Sequence, residues 1–276
     1  MVAECSNGDK YIVMKWPMKL CLTFDDGLKT HVEIAVPLLK KYGFKAAFNV
    51  PMEFLESSDK KLNKDQLIDC YLVGHEDNFM DWKDVGYLLS QGHEVYPHTL
   101  GHVDLVSLEK HGRLDELTRQ IVEAKYLYEK HLGRSPKFFC SPHNSWSPVV
   151  MQILHENKME IVSCNRRNFP THPSRTPPKI SVVDYLREEY RRGTMIVDVM
   201  VHGIDVMRGG WEPFTDSAEF EEFLRGVRSV VDEGIVKVVP YSAAHLQYGI
   251  LSRPLHLLDR IVRKLRRKLL MLDNPG

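Results

Sequence analysis

Seven short β-rich runs alternate with longer segments able to form helices, and this alternation constrains the fold more than any other feature of the chain. The runs are Leu20–Phe24, Lys45–Val50, His93–Tyr96, Lys137–Cys140, Glu160–Ser163, Met195–Val201 and Ile235–Val239. Helical patterns cover Val32–Tyr42, Asp104–Leu132, Ser147–Glu156, Ala218–Glu233 and a C-terminal stretch from about Leu255 to Leu272. Strand and helix in repeated succession is the sequence form of βα units around a parallel sheet. Boundary chemistry agrees: Thr30-His31-Val32-Glu33 has capping-box spacing, and Gly43 and Gly133 stand where a helix C-terminus wants glycine. Pro37, inside the first helical pattern, requires a kink or a later start. Residues 52–80 and 168–180 lack periodicity and read as loop insertions of the kind that shape binding sites.

Bulk properties narrow the function. With 37 cations against 37 acids the molecule is no polyelectrolyte, which argues against a nucleic-acid partner. Five scattered cysteines without a CxxC pair fit reduced thiols rather than a disulfide frame. Residues 1–10 lack an apolar signal segment, and no run reaches the ~20 apolar residues of a membrane span, so a cytoplasmic setting is expected. The neutral total hides an asymmetry. Between Arg253 and Asp273 seven cations face two aspartates, a local net of +5, with leucines recurring at helical spacing. That pattern suits a basic helix over residues 255–272 lying peripherally at the inner face of a membrane, or one packing on the core with its basic face solvated.

The chemistry-bearing residues gather at strand ends. Thr23-Phe24-Asp25-Asp26-Gly27 follows an apolar strand; adjacent aspartates point differently, so one can ligate a metal while the other serves as a base. Taken alone, Asp-Asp-Gly is more often a turn. His98-Thr99-Leu100-Gly101-His102 follows another strand, and histidines at i and i+4 share one side of a helical turn. A lone HxxxH is a weak signal, but two histidines plus a carboxylate make a hydrolytic metal set, with Asp26 the natural third ligand. Asp25, Asp26, His98, Cys140–His143 and His202 all fall at carboxyl ends of separate predicted strands, the edge where α/β active sites assemble.

These residues match a family. The chain resembles the polysaccharide deacetylases of the NodB-homology type, carbohydrate esterase family four: Thr23–Gly27 matches its TFDDG motif, Gly92-His93-Glu94 with His98 and His102 its histidine motif, and Met200-Val201-His202 its late LxH motif. The resemblance runs from about Met18 to Gly203. It implies an α/β fold, a distorted (β/α)-barrel of about seven parallel strands, over a single domain 1–276. It further implies that Asp25 activates water, that Asp26, His98 and His102 bind a divalent metal (zinc first, with cobalt, nickel or manganese as alternatives), and that His202 is the general acid. One departure stands out. The family's third motif reads Arg-Pro-Pro-Tyr, whereas here the stretch is Cys140-Ser141-Pro142-His143-Asn144. The turn at Pro142 is kept, and the His143 N–H takes the place of the family's oxyanion donor. The arginine that supports the catalytic aspartate is lost; Arg166 and Arg167, after the next strand, are its candidate replacements.

His143 can be a substrate contact, an auxiliary acid, a fourth ligand or a solvated loop residue. Trp146 is a candidate for stacking on a sugar ring, against loop packing. Cys140 reads as a small apolar filler, His93 as buried and structural, and His31, His75, His111, His131, His155, His172, His245 and His256 as surface or packing residues. The implied activity is removal of an N-acetyl group from an amino sugar, lipid- or nucleotide-linked, in a surface-polysaccharide precursor such as that of O-antigen or lipopolysaccharide. The alternatives are a deformylase acting on a lipid-linked sugar and a catalytically impaired carbohydrate-binding homologue.

Overall fold

The computed structural model describes residues 2–4, 10–12, 16–56, 79–162, 181–204, 214 and 216–244. After a small antiparallel pair, β1 (Val2–Glu4) and β2 (Lys10–Ile12), come seven strands whose pairings with one another are all parallel. They are β3 (Met18–Phe24), β4 (Ala47–Val50), β5 (Glu94–Pro97), β6 (Phe138–Cys140), β7 (Glu160–Val162), β8 (Ile196–Val201) and β9 (Val236–Val238). All seven predicted strands are present, with ends shifted by no more than a couple of residues.

The arrangement around β3 shows how the barrel is distorted. One edge of β3 pairs with β8 from Lys19 to Phe24. Its other pairings are divided: Met18–Leu20 with β9, then Thr23 and Phe24 with β4. β4 continues to β5, while β6 and β7 form their own parallel pair. A strand alternates its side chains between two faces, so β3 separates two cores. Leu20, Leu22 and Phe24 face outward into a cluster with Val36 and Leu39, Val85 and Leu88, and Phe220, Leu224 and Val227. Cys21 faces inward with Ala47, Tyr96, Phe138, Cys140, Val162 and Tyr241, which together fill the barrel.

The outer layer consists of helices α1 (Val36–Tyr42), α2 (Trp82–Ser90), α3 (Leu105–Lys110), α4 (Leu114–Leu132), α5 (Pro148–Glu156), α6 (Val182–Arg191) and α7 (Ser217–Asp232). α7 shows why they form. The Asp216 side chain accepts from the Ala218 and Glu219 N–H groups, a cap worth ~1 kcal/mol. Phe220, Phe223, Leu224, Val227 and Val230 then make one buried stripe. Phe220 meets the stacked Phe24–Phe48 pair edge-on at 6.0 Å from Phe24, and each such fully buried ring contributes about 1.5–3 kcal/mol.

Three local expectations need correction. Thr30 is not an N-cap: it already has helical backbone angles and its hydroxyl makes no capping bond. The helical run begins before it, and a π-turn over His31–Ala35 leads into α1 with Pro37 in its first turn. Proline has no N–H to give, and the wider turn accommodates its ring. The capping box that does form joins Asp81 and Asp84 at α2. The predicted helix Asp104–Leu132 is two helices, because Asp104 caps α3 and Gly112, at φ 72°, turns the chain before α4. Helices α2 and α6 were not anticipated. Gly43 and Gly133 do occupy left-handed C-terminal positions. Residues 57–78, 168–180 and the basic stretch 255–272 lie outside the described residues. Among the described residues no helix is long and apolar enough to cross a membrane.

Candidate metal centre

The carboxyl ends of β3, β5, β6 and β8 bring Asp25, Asp26, His98, Cys140 and His202 to one mouth of the barrel. Ligand atoms of Asp26, His98 and His102 all lie within 4.8 Å of one another. Asp26 Oδ1 is 3.0 Å from His102 Nε2 and 3.5 Å from His98 Nε2. Donors bound at 2.0–2.1 Å around a tetrahedral ion are spaced about 3.3 Å apart, and the distances from Asp26 to both histidines match that spacing. The His98 ring is also oriented as a ligand should be. Its Nδ1 donates to the Cys140 carbonyl at 3.0 Å, which leaves Nε2 facing Asp26.

Charge follows this geometry. Burial opposes ionisation of Asp26, but the His102 charge and hydrogen bond outweigh it, aided by His98 and His202, and hold the carboxyl well below the usual range. Burial likewise lowers His98, yet the hydrogen bond to Asp26 and the two neighbouring aspartates raise it overall. Asp26 is 2% and Asp25 3% exposed, so both carboxyl groups sit in a region of low dielectric.

Backbone strain marks the same place. Five of the six non-glycine residues with positive φ among the described residues are Asp26, Thr99, His102, His143 and Asn144, all on the loops of this mouth. Such conformations cost on the order of 1 kcal/mol or more each and persist where the surroundings fix them. They also correct the expected helical turn. Thr99 at φ 63° and His102 at φ 56° preclude a helix, and the two histidines converge through a strained loop. That loop is held by Gln120 of α4, whose side chain accepts from the Gly101 N–H, and by the 3-10 turn Met52–Glu56, whose first two N–H groups donate to Thr99 and Leu100 carbonyls. At Gly27, φ is 66° and an added Cβ would lie 2.5 Å from Val50 Cγ1, so only glycine lets the aspartate loop close onto β4.

The other predicted site residues take different positions. Pro142 is buried in the turn after β6, and the His143 ring packs edge-on against His102 at 5.6 Å while remaining exposed. Trp146 is 60% exposed, near the mouth in sequence. Arg166 and Arg167 lie outside the described residues. Cys140, expected as filler, is buried in the barrel, and its carbonyl orients His98.

Three supporting residues escaped sequence reasoning. Gln120 is one. Asn49 of β4 is the second: its Nδ2 donates to Asp25 Oδ1 at 2.6 Å. His31 is the third; its Nε2 donates to the His202 carbonyl, and its ring packs against the stacked Phe24 and Phe48. The one available signal was a lone polar residue inside an apolar run, as at Ala46-Ala47-Phe48-Asn49-Val50.

Burial pushes His31 down to about 4, and burial with the Lys45 charge pushes His93 down to about 4. Both stay neutral in the folded protein while the unfolded chain protonates below its ordinary value of 6.5. Their contribution to stability is therefore complete above pH 6.5 and is lost as pH falls toward 4, by roughly 1 kcal/mol per pH unit for each. Urea midpoints should fall through that window, and His31→Phe, which keeps a ring in place, should remove about half of the slope. An unchanged slope would show that His31 is not held neutral.

A distorted parallel barrel with a carboxylate and two histidines at its carboxyl mouth defines the class as an α/β protein of the NodB-like kind with a candidate hydrolytic metal centre. A model described as polysaccharide deacetylase matches residues 17–162, more than half of the sequence, and the chain belongs to that family. A chitin deacetylase from Pestalotiopsis sp. is 25% identical over 149 residues, which is 54% of this chain and only 42% of that protein's length. The peptidoglycan deacetylase PdaC from Bacillus subtilis superposes with a TM-score of 0.53 at 19% identity, covering 91% of this chain and 97% of that one. A family 4 acetyl xylan esterase from Clostridium thermocellum, in complex with a cobalt ion, gives 0.54 at 16% identity, covering 84% and 92%. At these identities the structures show the shared fold, that of carbohydrate esterase family four, whose members are metal-dependent.

Proposed function

We propose that this protein is a metal-dependent amide hydrolase that removes the N-acetyl group from an amino sugar in a surface-polysaccharide or glycolipid precursor. The observation that carries this reading is the division of labour between neighbours: the Asp26 carboxylate pairs with two histidines, while Asp25 Oδ1 accepts from a neutral amide. One carboxylate thus serves as ligand and the next remains a base. A divalent ion on Asp26, His98 and His102, zinc being the first choice for one oxygen and two nitrogen donors, would supply the Lewis acidity for attack by water on an acyl carbon. Asp25 takes the proton from the water. The His143 N–H is the backbone donor for the oxyanion, and His202 delivers a proton to the departing amine. His31 fixes the His202 backbone from below. The turn from Pro142 to Trp146 is the face offered to the sugar.

The replacement of the third-motif arginine by Cys140 favours a second reading, a homologue that binds glycan with little turnover. Release of acetate from UDP-linked and lipid-linked N-acetylated amino sugars, with formate release from N-formyl counterparts, separates the alternatives. Acetate release by the zinc-loaded protein supports the proposal, and formate release alone converts it to a deformylase. Glycan binding without release of either overturns it. We place the protein at the inner face of a membrane, on the strength of the basic stretch from Arg253 to Asp273. Loss of liposome binding on deletion of residues 255–276 tests that placement.

A further inference from the structure

We infer that Asn49 is the positioning residue for Asp25, fixing one carboxylate oxygen so that the other is presented as the base; this rests on the hydrolase reading above. Asp25 is a buried carboxylate beside a second one, and such a group is held in place only by donors. Among the described residues its side chain has one hydrogen-bond partner, Asn49 Nδ2, 2.6 Å from Oδ1. The orientation of the amide is chemically settled, since the flipped form would set oxygen against oxygen at that distance. With Oδ1 occupied, Oδ2 is left to accept a proton. Because the donor is a neutral amide, it orients the carboxylate while bringing no charge of its own.

Among the described residues the Asn49 side chain has no other hydrogen-bond partner. It is fully buried on β4, paired in register with Tyr96, and flanked by Ala47, Phe48 and Val50, all buried and apolar. Among the described residues its own Oδ1 is buried without a partner, an arrangement that costs stability where a valine or leucine would not. A buried polar side chain that costs stability, and whose one side-chain bond among the described residues ends on the base, marks function rather than packing.

The test uses the zinc-loaded full chain. Asn49→Leu removes the donor, and Asn49→Asp keeps its shape while replacing the donor by an acceptor. In both, kcat should fall about 10- to 100-fold, the range seen when an orienting partner is lost, with KM within threefold and one metal per chain retained. Full kcat in Asn49→Asp would show that only shape matters and would overturn the inference, as would parallel loss of metal and substrate binding in both variants. A measurement on the unaltered site guards against variants that do not fold. The Asn49 side-chain amide proton should resonate downfield and move upfield in Asp25→Ala. An amide resonance that Asp25→Ala leaves in place overturns the inference whether or not the wild type turns over. Absence of turnover on every sugar, with the resonance responding as expected, removes the hydrolase reading instead.

Discussion

Asp25→Asn should keep its metal and lose most of its turnover, with kcat reduced about 10²- to 10⁴-fold, the range attached to a positioned general base. The substitution is nearly isosteric, and Asp25 contributes no atom to the Asp26, His98, His102 trio, so metal content should stay at the wild-type level. KM should change little, because the proton transfer is made only on the way to the transition state. Metal analysis beside steady-state acetate release checks both halves. Full activity in Asp25→Asn would remove the base assignment, and loss of metal would move Asp25 into the ligand set. That second outcome has a structural motive, since Asp25, His98 and Cys140 also bring ligand atoms within 4.8 Å of one another.

Removal of the metal should have the second largest effect. Saturation at about 100 times Kd stabilises a folded site by ~2.7 kcal/mol, and for a chain of this size each kcal/mol moves Tm by roughly 2–4 °C. Chelation should therefore lower Tm by about 5–10 °C without unfolding the protein, because the histidines already lie against Asp26 and the loop is held independently by Gln120. Zinc should restore both Tm and activity. In Asp26→Ala or His98→Ala the response to chelator and to zinc should vanish together. A wild type whose Tm and activity are indifferent to chelator, after exhaustive dialysis, would eliminate the metal centre.

Much of this is legible in the chain alone. The β3 motif Thr23–Gly27 and the run from His98 to His102 carry their chemistry in adjacent residues, and local sequence places each at the end of an apolar strand. The seven strands are visible because burial on both faces leaves a nearly continuous apolar run. The division of Asp104–Leu132 at Gly112 is hidden because the apolar stripe continues across the break, and helical periodicity is blind to a single left-handed residue. The path between the two histidines is hidden for a related reason. Spacing of four suggests a helix, yet contacts from α4 and from Met52 and Glu53 hold Thr99 and His102 in conformations that local preference disfavours.

The sequence by itself determined where the parallel strands lie along the chain, the family, and the candidate aspartates and histidines at their ends. Those properties reside in short-range periodicity and in motifs whose members are neighbours or lie at strand ends that any parallel barrel collects on one side. Only the tertiary structure decided what supports them: Asn49 behind Asp25, His31 beneath His202, Gln120 under the histidine loop, and the Cys140 carbonyl on His98. Each of these bonds spans elements 19 to 171 residues apart in the chain. Whether such residues touch depends on register and on which face of a strand turns inward, and both are fixed only when the barrel closes.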